Sequence, residues 1–201
     1  IGDAKPSGIC GSGIVDAVAE MLKSRIIDSN GLISEKLRTT RVRRREHLEY
    51  VVAWAGETAT GKDIVVTQGD VREVQLAKAA IYAGAAILMK KEKVQPSNLQ
   101  KIFIAGAFGT YMNIHNAQII GLIPDIPLNR IRFVGNAAGS GARMALISET
   151  IRDEADEIAR KMQRRVELGV DPDFQDEFLK ATKFPHSDMT HFPNVKRILS
   201  I

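Results

Sequence analysis

Apolar positions fall into two kinds of segment: short unbroken runs, and longer stretches in which they recur at steps of three and four. That alternation predicts strands interleaved with helices, an α/β fold. Ile102, Phe103 and Ile104 run without polar interruption, the pattern of a strand covered on both faces in a parallel or mixed sheet flanked by helices. Residues 131–134 repeat it as a second short buried strand. Residues 64–66 read as a short strand and 47–55 as a β-ribbon or edge strand. The longest helix is predicted from Val71, Val74, Ala77, Ile81, Gly84 and Leu88, with Thr67 and Asp70 at the spacing of a capping box. Its small residues Ala77, Ala80, Gly84 and Ala85 suit close packing. Ile14, Val15, Val18, Met21 and Leu22 mark an earlier helix, and 116–120 a short one closed by Gly121. Pro124 and Pro127 then predict an extended crossing. Residues 151–165 read as a charged surface helix, 166–168 as an edge strand, and 171–184 as a helix with Asp171 as N-cap and Phe174 and Phe178 on one face. Residues 185–201 lack periodicity, so the chain divides into a domain over 1–184 and a tail over 185–201 that carries His186 and His191.

Glycines gather where predicted strands end and helices begin. Gly106 and Gly109 follow the 102–104 run, so the backbone there can turn at positive φ and a flat ligand can come close. In open α/β sheets, ligands collect beyond the carboxyl ends of strands. Residues 7–13, SGICGSG, open one helix with Gly8, Gly11, Ser12 and Gly13. Residues 136–141 open another with Asn136, Gly139, Ser140 and Gly141. Each segment admits two readings: close packing, with Ser12 as an N-cap in the first, or approach of a nucleotide or anion to backbone amides at a helix start. No strand is followed by GxGxxG with an acid about twenty residues later, which argues against an NAD-dependent enzyme.

Composition narrows the classes further. With 44% hydrophobic and 26% charged residues, the 201-residue chain has the balance of a folded globular protein. Its longest apolar segments, such as 79–89, are too short and Ala-rich to span a bilayer, and no signal peptide is visible, which reads as a soluble, cytoplasmic chain with no membrane partner. The net charge is +4, and the run Arg41, Arg43, Arg44 and Arg45 has no interleaved aromatic platform, so it reads as a solvated edge rather than a nucleic-acid surface. One cysteine and four scattered histidines offer neither a disulfide nor a metal or iron–sulfur ligand set, and Cys10 reads as a small core residue.

Taken together, the motifs resemble a known family. GICGSGIVD, then VTQGDVREVQLAKAAIYAGAAILM, IFIAGAFGTYMN, GLIPDIP, FVGNAAGSGARMAL and VELGVDPDFQDEFLKATKFP follow one another as in the reductive activators of corrinoid proteins. These belong to the superfamily of acetate kinase, sugar kinases, heat-shock chaperones and actin. The resemblance covers nearly the whole chain and implies a ribonuclease H-like, actin-like ATPase domain. It also implies ATP or ADP with Mg²⁺ as ligand, and a [2Fe-2S] cluster in a separate N-terminal domain. In such activators ATP binding and hydrolysis drive an electron onto cob(II)alamin of a corrinoid protein, restoring cob(I)alamin. The implied partners are that corrinoid protein and an electron donor to the cluster; a homodimer is expected only on the alternative docking reading. By resemblance, Gly106, Ala107, Phe108 and Gly109 form the adenosine turn, while Asn136, Ala137, Ala138, Gly139 and Gly141 belong to the second connecting helix. Gly8, Gly11, Ser12 and Gly13 match the loop before a cleft helix.

The chain also departs from the superfamily pattern. The strand-borne DxG motifs that position Mg²⁺ and the attacking water do not occur: Asp3 precedes no strand, and Asp63 lacks the glycine. The chain opens in mid-pattern with IGDAKPSG and reads as the C-terminal part of a longer protein. Half a cleft implies weak nucleotide binding, with no catalytic residue and no turnover by this chain alone. The alternative reading is a non-catalytic docking or dimerisation module that uses the basic ribbon and the late helices.

Overall fold

A computed structural model describes residues 3–106, 111–162 and 166–200. The expected α/β layout takes the form of two small sheets. Strands β1 (Val42–Arg44), β2 (Leu48–Ala53) and β3 (Ile64–Thr67) make an antiparallel sheet in that order, with an irregularity between Val51 and Ala53. Strands β4 (Ile102–Ala105) and β5 (Ile131–Gly135) pair in parallel, Ile102 opposite Ile131 and Ile104 opposite Phe133. The helices are α1 (Gly11–Lys23), α2 (Gln68–Lys91), α3 (Ile114–Ile119), α4 (Ala137–Ile147), α5 (Glu149–Lys161), α6 (Phe174–Ala181) and α7 (Pro193–Leu199). Among the described residues, no helix is long and apolar enough to cross a membrane.

The capping box predicted at the start of α2 is present: Thr67 Oγ1 accepts from the Asp70 amide at 3.1 Å, and the Asp70 carboxylate accepts from the Thr67 amide at 2.8 Å. The buried face of α2 is rotated from the one the periodicity predicts. Ala77, Ile81 and Leu88 are exposed, whereas Val71, Gln75, Lys78, Ala79, Tyr82 and Ile87 are buried. Two polar side chains lie inside because carbonyls await them. Gln75 Nε2 donates to Thr182 O at 2.7 Å, and Lys78 Nζ donates to Lys183 O and to Pro185 O at 2.6 Å. Sequence periodicity scores such residues as surface; these acceptors lie more than a hundred positions away.

Burial holds the Lys78 ammonium down to about 7 from its ordinary 10.5. Between those two values the unfolded chain keeps the proton and the folded chain releases it, so stability rises with pH across that window. The groups around Lys78 are the two carbonyls and the ring of Phe184, 5.5 Å from Nζ. We expect unfolding free energy to increase by on the order of 3 kcal/mol from pH 7 to 10. Denaturant titrations across that range should lose this slope in Lys78→Met; a slope that persists would assign the titration to other groups.

Residues 102–104 are not covered on both sides. Ile102 and Ile104 pack against the core, but Phe103 is 60% exposed, and Val134 of β5 faces the same open side. With only two strands in this sheet and no element over that side among the described residues, an unbroken apolar run does not mean double burial here. Helices α4 and α5 likewise bury no residue; Leu146 and Ile147 are 79% and 82% exposed.

Two predicted elements near the C-terminus differ. Residues 168–170 form a 3₁₀ turn in place of the edge strand, and α6 begins at Phe174 with Asp173, not Asp171, at its N-cap position. Asp171 instead accepts from the Asp173 amide and pairs with Lys91 at 2.6 Å. Phe174 and Phe178 do share a face, their rings 6.2 Å apart. Residues 185–200 lie against the core: His186, Phe192 and Val195 are buried. The Asp125 carboxylate, in the buried crossing after Gly121, accepts from the Asn194 amide at 2.7 Å and the Val195 amide at 3.2 Å, and so holds the first turn of α7.

Candidate functional site

The parallel ladder brings two glycines side by side at the carboxyl ends of β4 and β5. The Gly106 amide donates to Gly135 O at 2.7 Å. Both residues hold positive φ, +94° and +62°, and a Cβ built on either would meet nothing within 4 Å. The backbone here therefore turns in a conformation suited to glycine, with open space beside it among the described residues. One residue on, Asn136 caps α4, its Oδ1 accepting from the Gly139 amide at 2.9 Å. Gly135 did not stand out in the sequence; its signal was its place between a strand and an N-cap.

The other predicted site residues divide. Gly139 answers to packing, because a Cβ there would lie 2.7 Å from the Asn136 side chain. Ala107, Phe108 and Gly109 lie outside the described residues. In the first loop Cys10, not Ser12, is the N-cap of α1: its Sγ accepts from the Gly13 amide at 3.4 Å, with the Ser12 hydroxyl 3.3 Å away. Cys10 is exposed rather than a core residue. The Ser12 hydroxyl, and after it the Gly13 amide, hold its thiol below the ordinary value. Gly11 is the first residue of α1, Gly13 packs on Ile9, and Gly8 faces open space. This loop is placed by α1, which packs on α3; Asn116 Nδ2 donates to Asp16 at 2.9 Å across that contact.

The basic ribbon is paired within the chain. Arg43 donates to Glu49 at 2.8 Å and to Asp63 at 2.7 Å, Arg41 to the Val51 and Val52 carbonyls, and Arg44 to Glu35. Arg41 and Arg43 both lie over the Trp54 ring. Hydrogen bonds from Arg43 and then from the Ala55 amide hold the Asp63 carboxyl below its ordinary range. Asp63 is thus engaged in the ribbon.

On the far end of α2, His186 and His191 come together, which the unpatterned sequence around them did not signal. Their rings stack with centroids 5.3 Å apart, and the Glu177 carboxylate of α6 lies 3.3 Å from His186 Nε2.

Comparison with known proteins places this geometry. Residues 1–196 match the family described as the C-terminal domain of RACo, the ASKHA domain. The corrinoid activation enzyme RamQ of Eubacterium limosum is 40% identical over 192 residues, covering 92% of this chain and 32% of that protein. The reductase of the Co(II) methylated amine-specific corrinoid protein of Methanosarcina barkeri is 25% identical over 155 residues, 77% of this chain and 25% of that protein. A solved structure of a reductive activator for a corrinoid, iron–sulfur protein superposes with a TM-score of 0.88 at 43% identity, covering 94% of this chain and 30% of that one. This chain therefore spans about a third or less of the length of each of these relatives. By its match over nearly its whole length, the chain belongs to the family of C-terminal ASKHA domains of RACo, with the actin-like ATPase fold.

Proposed function

We propose that this chain supplies the adenosine side of the nucleotide cleft in an ATP-dependent reductive activator, which returns cob(II)alamin of a corrinoid protein to cob(I)alamin. The observation that carries the reading is the paired turn at Gly106 and Gly135, at the carboxyl ends of two parallel strands, with nothing among the described residues within 4 Å of either Cβ position. A planar base can lie against backbone that carries no Cβ, beside the first turn of α4. The corrinoid substrate comes from the names of the relatives. Cob(I)alamin is a strong reductant, so an activator must couple the electron transfer to nucleotide-driven change between two states of differing affinity.

The chain's own residues bound what it contributes. A single cysteine cannot provide the thiolates of a [2Fe-2S] cluster, so in the proposed activator the cluster would sit in another domain and take its electron from a separate donor. The matched motifs include no strand-borne acid for Mg²⁺, and Asp63 is held by Arg43. Weak nucleotide binding without turnover is the expected behaviour of the chain alone.

The test is calorimetric titration with ADP and a non-hydrolysable ATP analogue, on the wild type and on Gly106→Val. We expect binding to fall by at least tenfold in the variant, since valine is strongly disfavoured at a φ of +94° and would fill the open space. Equal affinity in the two proteins would remove Gly106 from the site. A second reading, an interaction module, draws on the exposed apolar residues of α4 and α5 rather than on the ribbon, whose arginines are paired internally.

A further inference from the structure

The structure assigns a divalent transition-metal site to Glu177, His186 and His191, at the junction of α6 with the C-terminal segment. One ligand atom from each of the three lies within 4.8 Å of the others. Two imidazoles and one carboxylate suit a borderline cation of the Zn²⁺ class.

The state of the buried groups points to a ligand. The His186 side chain is fully buried, and its Nε2 has no hydrogen-bond partner. Glu177 Oε1, 3.3 Å away and paired with it in charge, likewise makes no directed hydrogen bond. Two orphaned polar atoms facing each other inside a protein carry a desolvation cost that a cation between them would offset. Their separation is close to the distance between two ligands on one tetrahedral ion, where each bond is roughly 2 Å.

The surroundings suit the role. His186 Nδ1 lies 3.2 Å from Asp188 O and 3.0 Å from the Asp188 amide. The amide donates to Nδ1, which leaves the ring proton on Nε2 facing Glu177; a cation would be bound by the other tautomer, with that proton moved to Nδ1 beside the Asp188 carbonyl. His191 completes the set from the surface. Its side chain is 42% exposed, so a small rotation can shorten the largest separation, and the Tyr82 hydroxyl stands 3.4 Å from its Nδ1. Glu177 and His191 also line a cavity of about 780 Å³ together with Tyr82, Asp125, Lys180 and Asn194. That cavity gives an ion a way in and leaves room for a water as fourth ligand.

The experiment titrates the metal-free chain with Co²⁺ alone and follows the visible ligand-field bands, then displaces it with Zn²⁺. One saturable equivalent is expected, with bands of four- or five-coordinate cobalt, unchanged in Cys10→Ser. Glu177→Gln and His191→Ala should each weaken binding by about tenfold or more. His186 is buried and its replacement risks the fold, so these two variants decide, with circular dichroism confirming that each is folded. Zn²⁺ should also raise the melting temperature of the wild type, and not that of His191→Ala. Absence of a one-to-one complex, or cobalt spectra and affinity identical in wild type and both variants, would overturn the assignment.

Discussion

Gly121→Ala is expected to destabilise the chain by about 4 kcal/mol, the combined result of a clash and an unfavourable backbone conformation. Gly121 closes α3 at a φ of +75°, and a Cβ there would sit 2.2 Å from Pro185 O and 2.8 Å from its carbonyl carbon. Neither neighbour is a side-chain tip that can swing away; both are backbone of the segment that receives Lys78. Gly61→Ala provides the comparison, since Gly61 has a similar φ of +65° but nothing within 4 Å of its Cβ position. It should lose only about 1 to 2 kcal/mol. Denaturant unfolding of the two variants separates the effects, and equal losses would mean that the Pro185 contact relaxes at little cost.

The second large effect is expected at Phe192. Its ring is fully buried, 5.1 Å from the Tyr82 ring and 6.2 Å from that of His186. Phe192→Ala removes that packing and leaves a void among residues already held from several sides, for a loss of about 3 to 5 kcal/mol. Thermal and denaturant unfolding both read it. A loss below about 1 kcal/mol would show that the C-terminal segment rests on the core without completing it.

How much was legible beforehand depended on the distance over which each signal acts. The Thr67 and Asp70 cap, the Gly121 stop and the Phe174 and Phe178 face are set by residues within four positions of one another, and all are present. The turn at Gly106 was visible as a glycine after an apolar run, yet its pairing with Gly135 needed the parallel ladder. Gln75 and Lys78 misled the reading of α2, because their acceptors are carbonyls at 182, 183 and 185. The histidine pair was hidden for another reason: Glu177, His186 and His191 are near one another in sequence, but no periodicity marks the turn after α6 that brings them together. Cys10 shows the limit at short range. A thiol and a hydroxyl two residues apart compete for one capping position, and the sequence does not say which wins.

The bonds from α2 to the last turns of the chain bear on how the protein assembles. Lys78 reaches Pro185 across 107 positions, and Tyr82 reaches His191 across 109. These are non-local closures, and such closures slow folding. During synthesis, α2 would emerge with Lys78 and Tyr82 unsatisfied and would wait while roughly a hundred more residues are made, which takes about 5 to 20 seconds. A ribosome stalled before Phe192 would therefore hold an open, aggregation-prone nascent chain, and core formation would track the emergence of residues 183–195 rather than the appearance of the first helices.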